Sequence, residues 1–410
     1  MELTKKFIIA AAIAAALVLR ATHASPVQVQ APAGPIRIGF IVPLSGANAQ
    51  NGRDILNGFL LYLEEVGYTA GGRKIQLITE DDEGIPAVGL TKARKLIESD
   101  KVHMMGGPLL ASSAYAIAPY IDSMQIPMVY PVASGDDLTQ RKRSKWIVRT
   151  GYTSSQPNHP FGEYAYQTLE MRRIATIALD YAFGWESVGG FERTFEEQGG
   201  RITQKLWIPL SVHDFGPYLA QISRDVDAVY ALFLGRTALQ FMRQYDEYGL
   251  KDRIPLIGMG TTTDEHVLPA MGDEAIGVIT ALHYSGALDT PANRKFAAAY
   301  RARFKRVPSY YSESMYTGGH WLIAAIEALK GRVENRDALL EAIRKAQPAG
   351  LPRGPVAIDE YGNPIENVYV RRVERVNGVL QNTVIHTFPR VSQFWKYNPA
   401  DYLREPIYAR

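Results

Sequence analysis

A few side chains in this sequence combine a reactive or charged group with a setting suited to holding an anion. Ser113 opens an apolar run that suits a helix, and the free N–H groups and positive dipole end of a helix start favour negative charge. Serine is also an ordinary helix N-cap, and one serine can do both. Arg236 follows the apolar segment ending at Phe233, where a guanidinium can clamp a carboxylate bidentately or decorate the surface. His283 can donate to a phenol or carboxylate, although a lone histidine more often serves the structure. The sequence has 8 histidines and 42 acidic residues, but the spacings that catalysis needs are missing. There is no G-x-S-x-G elbow, H-E-x-x-H helix, G-x-x-x-x-G-K-[ST] loop or G-x-G-x-x-G turn. Gly258-Met259-Gly260 is a bare glycine pair, and Asp214-Phe215-Gly216 stands without the rest of a kinase set. The chain is therefore read as a binding protein with no catalytic residues, no metal site and no cofactor.

The elements that position these residues alternate in type. Ile36–Val42, Lys74–Thr79, Val102–Met105 and Pro127–Val132 read as strands, and Gln50–Val66, Ala87–Ser99 and Ser113–Met124 between them carry helical spacing. A second series follows, with strands at Ile174–Leu179, Lys205–Ile208, Ala228–Phe233 and Pro255–Gly258. Its helices are expected at Trp185–Gln198, near Tyr218–Ser223 and at Ala238–Tyr248. Helical runs return at Asn293–Phe304 and Glu313–Leu329, and the tail carries extended segments at Val368–Val373 and Thr383–Thr387. This predicts an α/β protein of two doubly wound parallel-sheet lobes, with ligands expected beyond the carboxyl ends of the strands. The loops after Met105, Val132, Leu179, Phe233 and Ile257 then matter most.

Bulk properties agree with an exported binding protein. Lys5 and Lys6 precede the apolar run Phe7–Leu19, with small residues at Ala21 to Ala24, so residues 1–24 read as a secretory signal too short to span a bilayer. About 385 residues remain, enough for two domains of ordinary size. With no cysteine, disulfides, thiolate metal sites and a lipidated N-terminal cysteine are excluded. The formal charge of +3 drops to about +1 without the signal, too little to suggest nucleic acid as a partner.

The segments IRIGFIVPLSGANAQNGRDILNGFLLYLEEV, ITEDDEGIPAVGLTKARKLIESDKVHMMGGPLLASSAYAIAPY and IPMVYPVASGDDLT resemble the type I periplasmic binding proteins of the leucine/isoleucine/valine class. DYAFG, DFGPYLAQI, VDAVYALFLGRTALQFMRQYDEYGLKDRIPLIG and GVITALHYSGALDTPANRKF continue the likeness in order. The resemblance implies three hinge crossings, near Arg149–Tyr152, Ala281–Tyr284 and Gly354–Ile358. It implies lobes of residues 35–151 plus 284–354 and 152–283 plus 355–410, closing over a ligand. The matching carboxylate positions are Ser112, Ser113, Val132, Ala133 and Ser134, and Phe183 takes the place of a stacking ring beside Tyr181.

Departures from that pattern narrow the ligand. Where amino-acid binders of the class carry an acid for the ligand's ammonium group, Gly260 stands here, and Asp264 and Glu265 read as solvated loop charges. Asn51 replaces a common tyrosine and Leu234 a common second ring. A buried ammonium without a carboxylate partner is costly, so an organic acid with an apolar or aromatic body fits better. The tail IHTFPRVSQFWKYNP looks like that of the aromatic-acid-binding branch, whose ligands are benzoate- or hydroxycinnamate-like. The resemblance further implies a soluble periplasmic monomer without a lipid anchor, handing its ligand to an ABC transporter permease. A branched-chain amino acid as ligand, or an exported sensor role, are the alternatives.

Overall fold

The computed structural model describes residues 34–410; the expected signal at 1–24 lies outside them. Strand β1 (Ile36–Val42) is an apolar run with all but Arg37 buried, and it is followed by helix α1 (Ala49–Glu65), β2 (Thr69–Ala70) and β3 (Arg73–Asp81). Then come α2 (Pro86–Arg94), β4 (Met104–Gly106), α3 (Ala111–Met124), β5 (Met128–Tyr130) and β6 (Ile147–Arg149). These strands form one sheet of order β2-β3-β1-β4-β5-β6, parallel except for the β2–β3 hairpin. In α1, Ile55, Phe59 and Leu63 recur every four residues and are buried together, the stripe a helix needs to lie on a sheet.

The second sheet takes α4 (Asn158–Gln167), β7 (Arg173–Leu179), α5 (Ala182–Glu197), β8 (Arg201–Ile208), α6 (Gly216–Leu219), β9 (Ala228–Leu232), α7 (Gly235–Glu247), β10 (Leu256–Met259) and β11 (Ile279–Leu282). The chain then runs through α8 (Pro291–Phe304) and α9 (Tyr310–Ala328), which pack on α1. It continues through α10 (Arg336–Lys345) and β12 (Ala357–Ile358) into β13 (Pro364–Val376), β14 (Val379–Val391) and α11 (Pro399–Tyr402). The order of the second sheet is β12-β13-β11-β10-β9-β7-β8, with β14 on β13.

Beyond β6, α4 and α10, which the sequence reading did not include, the following features differ from the sequence expectation. The tail strands are the middle of a 13-residue hairpin arm on each side. It turns at Asn377-Gly378, both with positive φ (51° and 80°), as a two-residue turn matched to strand twist requires. Because β13 lies antiparallel to β11, the second sheet is mixed rather than wholly parallel. The helix expected near Tyr218–Ser223 is one turn, Gly216–Leu219.

Passages between the sheets are tied by buried charge. The Arg353 guanidinium, fully buried, donates to Glu313 Oε2 on α9 at 2.7 Å, to Glu366 Oε2 on β13 at 2.8 Å and to the Thr150 carbonyl after β6 at 2.9 Å. Burial works against its charge, but the two carboxylates more than offset this and raise its pKa. A second, titratable bridge joins α5 to the first sheet's loops. Glu186 accepts from Tyr115 Oη at 3.2 Å and from Asp136 N–H at 3.1 Å, and Asp136 accepts from Ser155 N–H at 3.1 Å. Burial pushes both acids up, Asp136 from 3.8 to about 6, with the charge of Asp137 adding to the rise at Asp136 and that of Asp136 to the rise at Glu186.

Replacing Arg353 by leucine leaves two buried carboxylates without a counter-charge, so Arg353→Leu is expected to cost about 3–5 kcal/mol, read from the urea midpoint at fixed slope. A carboxyl whose folded pKa is raised stabilises below its unfolded pKa and loses that contribution as pH rises through the folded value. Stability from the Asp136–Glu186 pair therefore declines as pH rises from 3.8 through about 6. Glu186→Gln flattens that slope; an unchanged pH profile in urea melts would exclude the pair as its source.

Candidate functional site

Three helix starts meet at one small cavity of about 20 Å³. Leu110 and Ala111 at the start of α3, Tyr181 and Phe183 at α5 and Leu234 at α7 line it, with Leu109, Val132, Ser134, Tyr152, Tyr310 and Tyr311 completing the wall. The residues before these helices, Leu110, Tyr181 and Leu234, are extended, and no side chain caps any of the three starts. No acidic residue occupies their first turns either. Thr290, Ser309, Asn335 and Asn398 cap α8, α9, α10 and α11, while α1, α2, α4 and α6 also start without a side-chain cap; what sets α3, α5 and α7 apart is that their starts meet. Leaving a start uncapped costs about 1 kcal/mol, and each free dipole end favours an anion by roughly 0.3–1 kcal/mol, more where partly buried. The convergence gives this cavity three free helix starts, a setting that favours an anion, within hydrocarbon and aromatic walls.

The rings are fixed from behind. Tyr310 and Tyr311 lie 4.0 Å apart between centroids, with Tyr152 edge-on to Tyr310 at 6.1 Å and Tyr181 edge-on to Phe183 at 6.0 Å. Burial raises the pKa of all four phenols, so each remains a neutral donor. Ser309 and Ser312 form a reciprocal capping box that begins α9 at Tyr310, three residues before the expected start. This places both tyrosines in the wall.

Of the residues singled out in the sequence, Val132, Ser134, Phe183 and Leu234 line the cavity. Ala133 is buried between two of them, its carbonyl accepting from Arg149 at 3.2 Å. Ser134 Oγ lies 3.1 Å from Ser154 Oγ. Ser112 is exposed and Ser113 is buried; neither lines the cavity, because α3 begins at Ala111 and Ala111 takes the facing position. Asn51 acts one layer back, donating to Tyr311 Oη at 2.8 Å. Gly235, with φ of +55°, lets α7 start beside it, since a Cβ there would come 3.3 Å from Asn51 Oδ1. His283 is also behind the wall, 3.2 Å from Ser314 Oγ and 4.9 Å from the Tyr152 ring centroid; burial pushes its pKa well down, so it is neutral. Arg236 lines an adjoining chamber of about 200 Å³ that shares Leu110, Tyr181 and Leu234 with the cavity.

Gly260 is explained by crowding. A Cβ there would lie 2.5 Å from Arg371 Nη2 and 2.5 Å from Leu282 Cβ, and its carbonyl accepts from Arg371 at 2.7 Å. A buried cation thus stands beside the position where an acid was sought. The reading of Asp264 and Glu265 as solvated charges is corrected: both are buried. Asp264 pairs with His266 at 2.5 Å, and Glu265 accepts from Gly286 N–H at 2.9 Å and Asn382 at 3.0 Å. Glu265 is met by Gly286 and Asn382 and Asp264 by the Tyr310 N–H at 3.4 Å, partners from distant parts of the chain that local composition does not show, although His266 is only two residues from Asp264. Tyr152, Tyr310 and Tyr311 were missed for the same reason; the one local signal was a tyrosine pair directly after Pro308-Ser309.

Comparison with known proteins places this geometry in context. A family model described as periplasmic binding protein matches residues 35–378. Leu/Ile/Val-binding protein homolog 6 of Brucella melitensis is 30% identical over 363 residues, spanning 87% of this chain and 92% of that protein. An ABC transporter substrate-binding protein from Sphaerobacter thermophilus is similar in structure, with a TM-score of 0.83, 36% identity, and coverage of 88% of this chain and 99% of its own. The solute-binding protein of an ABC transporter from Rhodopseudomonas palustris BisB5, solved in complex with 3,4-dihydroxybenzoic acid, gives a TM-score of 0.84 at 33% identity, covering 88% of this chain and 98% of its own.

Introducing an acid at position 260 is expected to damage the fold without creating an ammonium site. Gly260→Asp should cost about 1–3 kcal/mol through overpacking against Arg371 and Leu282, measured by urea unfolding, and calorimetry should show no gain of leucine binding.

Proposed function

Because this chain belongs to the periplasmic binding protein family, we propose that its cleft captures a small aromatic carboxylate, benzoate- or hydroxycinnamate-like, and closes over it. The fold is that of the type I periplasmic binding proteins, and the chain is a solute-binding protein of an ABC transporter. Its relatives bind and deliver solutes rather than transform them. Among the described residues no helix is long and apolar enough to cross a membrane.

The observation that carries the ligand class is the set of three uncapped helix starts around an aromatic-walled cavity. Backbone N–H groups there receive the carboxylate while Phe183 and the tyrosines pack on the ring. No acid lines the cavity, and the nearby Asp264 is occupied by His266, so an ammonium group finds no partner. The Rhodopseudomonas palustris protein, with its dihydroxybenzoic acid, supports the same class. The Leu/Ile/Val-binding name of the Brucella relative supports the runner-up, a branched-chain amino acid.

The lobes of this reading are residues 35–151 plus 284–354 and 152–283 plus 355–410, hinged near residues 149–152, 281–284 and 354–358. A cavity of about 20 Å³ holds little more than one water, so a ring enters only when the lobes part. The anion then meets α3 from one lobe and α5 and α7 from the other, contacts complete only after closure. Such differential affinity is what drives a two-state closure. The loaded monomer hands its ligand to a membrane permease.

The test is a thermal-shift screen of the mature protein against aromatic acids, aliphatic acids and amino acids. Aromatic acids at 100 times Kd should add about 2.7 kcal/mol of stability, whereas leucine, isoleucine and valine should add little; tighter amino-acid binding overturns the reading. Phe183→Ala should weaken the aromatic ligand by up to about tenfold, the worth of a ring contact.

A further inference from the structure

We propose that the chamber beside the cleft is a second subsite for the same ligand, selective for aromatic acids with a second carboxylate at the far end, and that Arg236 receives it. The proposal rests on the aromatic-acid reading of the cleft and extends it. The two cavities share three walls, Leu110, Tyr181 and Leu234, so a molecule anchored at the helix starts runs on into the chamber. The space is there: about 200 Å³ against about 20 Å³.

The chamber's polar groups are one-sided. Arg236, His213 and Gln240 line it together with apolar Leu179 and Val212, and no acidic residue does. Gln240 Oε1 is buried with no hydrogen-bond partner, and its amide can present either end to a ligand. Among the described residues no carboxylate lies within ion-pairing reach of Arg236. Arg236 is also the second residue of α7, the end of a helix where the dipole disfavours a cation. An unpaired arginine at the wrong end of a helix, facing a chamber without acids, is suited to a planar anion that arrives from outside. Ala47 and Asn48 close the chamber from the opposite sheet's loops, so a two-ended ligand touches both sides.

Calorimetric titration of the mature protein with benzoate and terephthalate tests this, because the two differ only in the distal carboxylate. Terephthalate is expected to bind at least about tenfold tighter, and Arg236→Gln should bring the ratio to within about twofold, with Arg236→Lys between. Ligand-free Arg236→Gln should melt no lower than wild type, since the exposed side chain leaves an unfavourable helix position; this separates lost selectivity from lost fold. Benzoate binding as tightly as terephthalate, or a ratio untouched by Arg236→Gln, overturns the subsite and leaves the cleft reading standing. If neither acid binds, the cleft reading falls and the subsite with it.

Discussion

One buried guanidinium organises the middle of this molecule. Arg353 reaches the segment after β6, α9 and β13 at once, and its carbonyl accepts from Tyr369 at 2.7 Å. Removing a charge from water is repaid only when every partner is in place, so these elements are held in one mutual arrangement. The influence extends to the cleft. Glu313 lies 3.9 Å from His283 Nε2, His283 packs on Tyr152 and Tyr310, and those rings are cavity wall. The Arg353 network therefore stands directly behind the aromatic wall of the site.

The other wall follows the opposite logic, with local stability left unclaimed. Leu110, Tyr181 and Leu234 stand where serine, threonine, aspartate or asparagine would cap a helix. Each leaves first-turn N–H groups to be satisfied by something other than the chain's own side chains. Sites that hold charge commonly trade stability in this way; uncapped starts occur elsewhere in the chain too, at α1, α2, α4 and α6, but these three share one cavity.

Much of the framework was legible because it is local. The Ile36–Val42 strand is the strand observed, and Phe183, placed by the family resemblance of its DYAFG segment, lines the cavity from the first turn of α5. Ser112 and Ser113 show where local reading ends. Both lie at the correct helix start, but the helix begins at Ala111, and at about 100° per residue a shift of one or two positions turns a side chain off the facing surface. Asp264 and Glu265 look like loop charges until Asn382, Gly286 and the Tyr310 N–H are brought to them. The mixed character of the second sheet was written in Asn377-Gly378, a turn signal between two extended runs.

The small volume of the cavity has a kinetic consequence. With room for little beyond one water, the cavity in this form has no space for a whole ring, so under the proposed function a ligand is fully enclosed only after the walls have moved. On that reading, residence time is governed by how far a bound anion biases the protein against opening. A partner that grips both sides of the cleft and separates them would empty it once its preference for the open form exceeds the ligand's preference for the closed one.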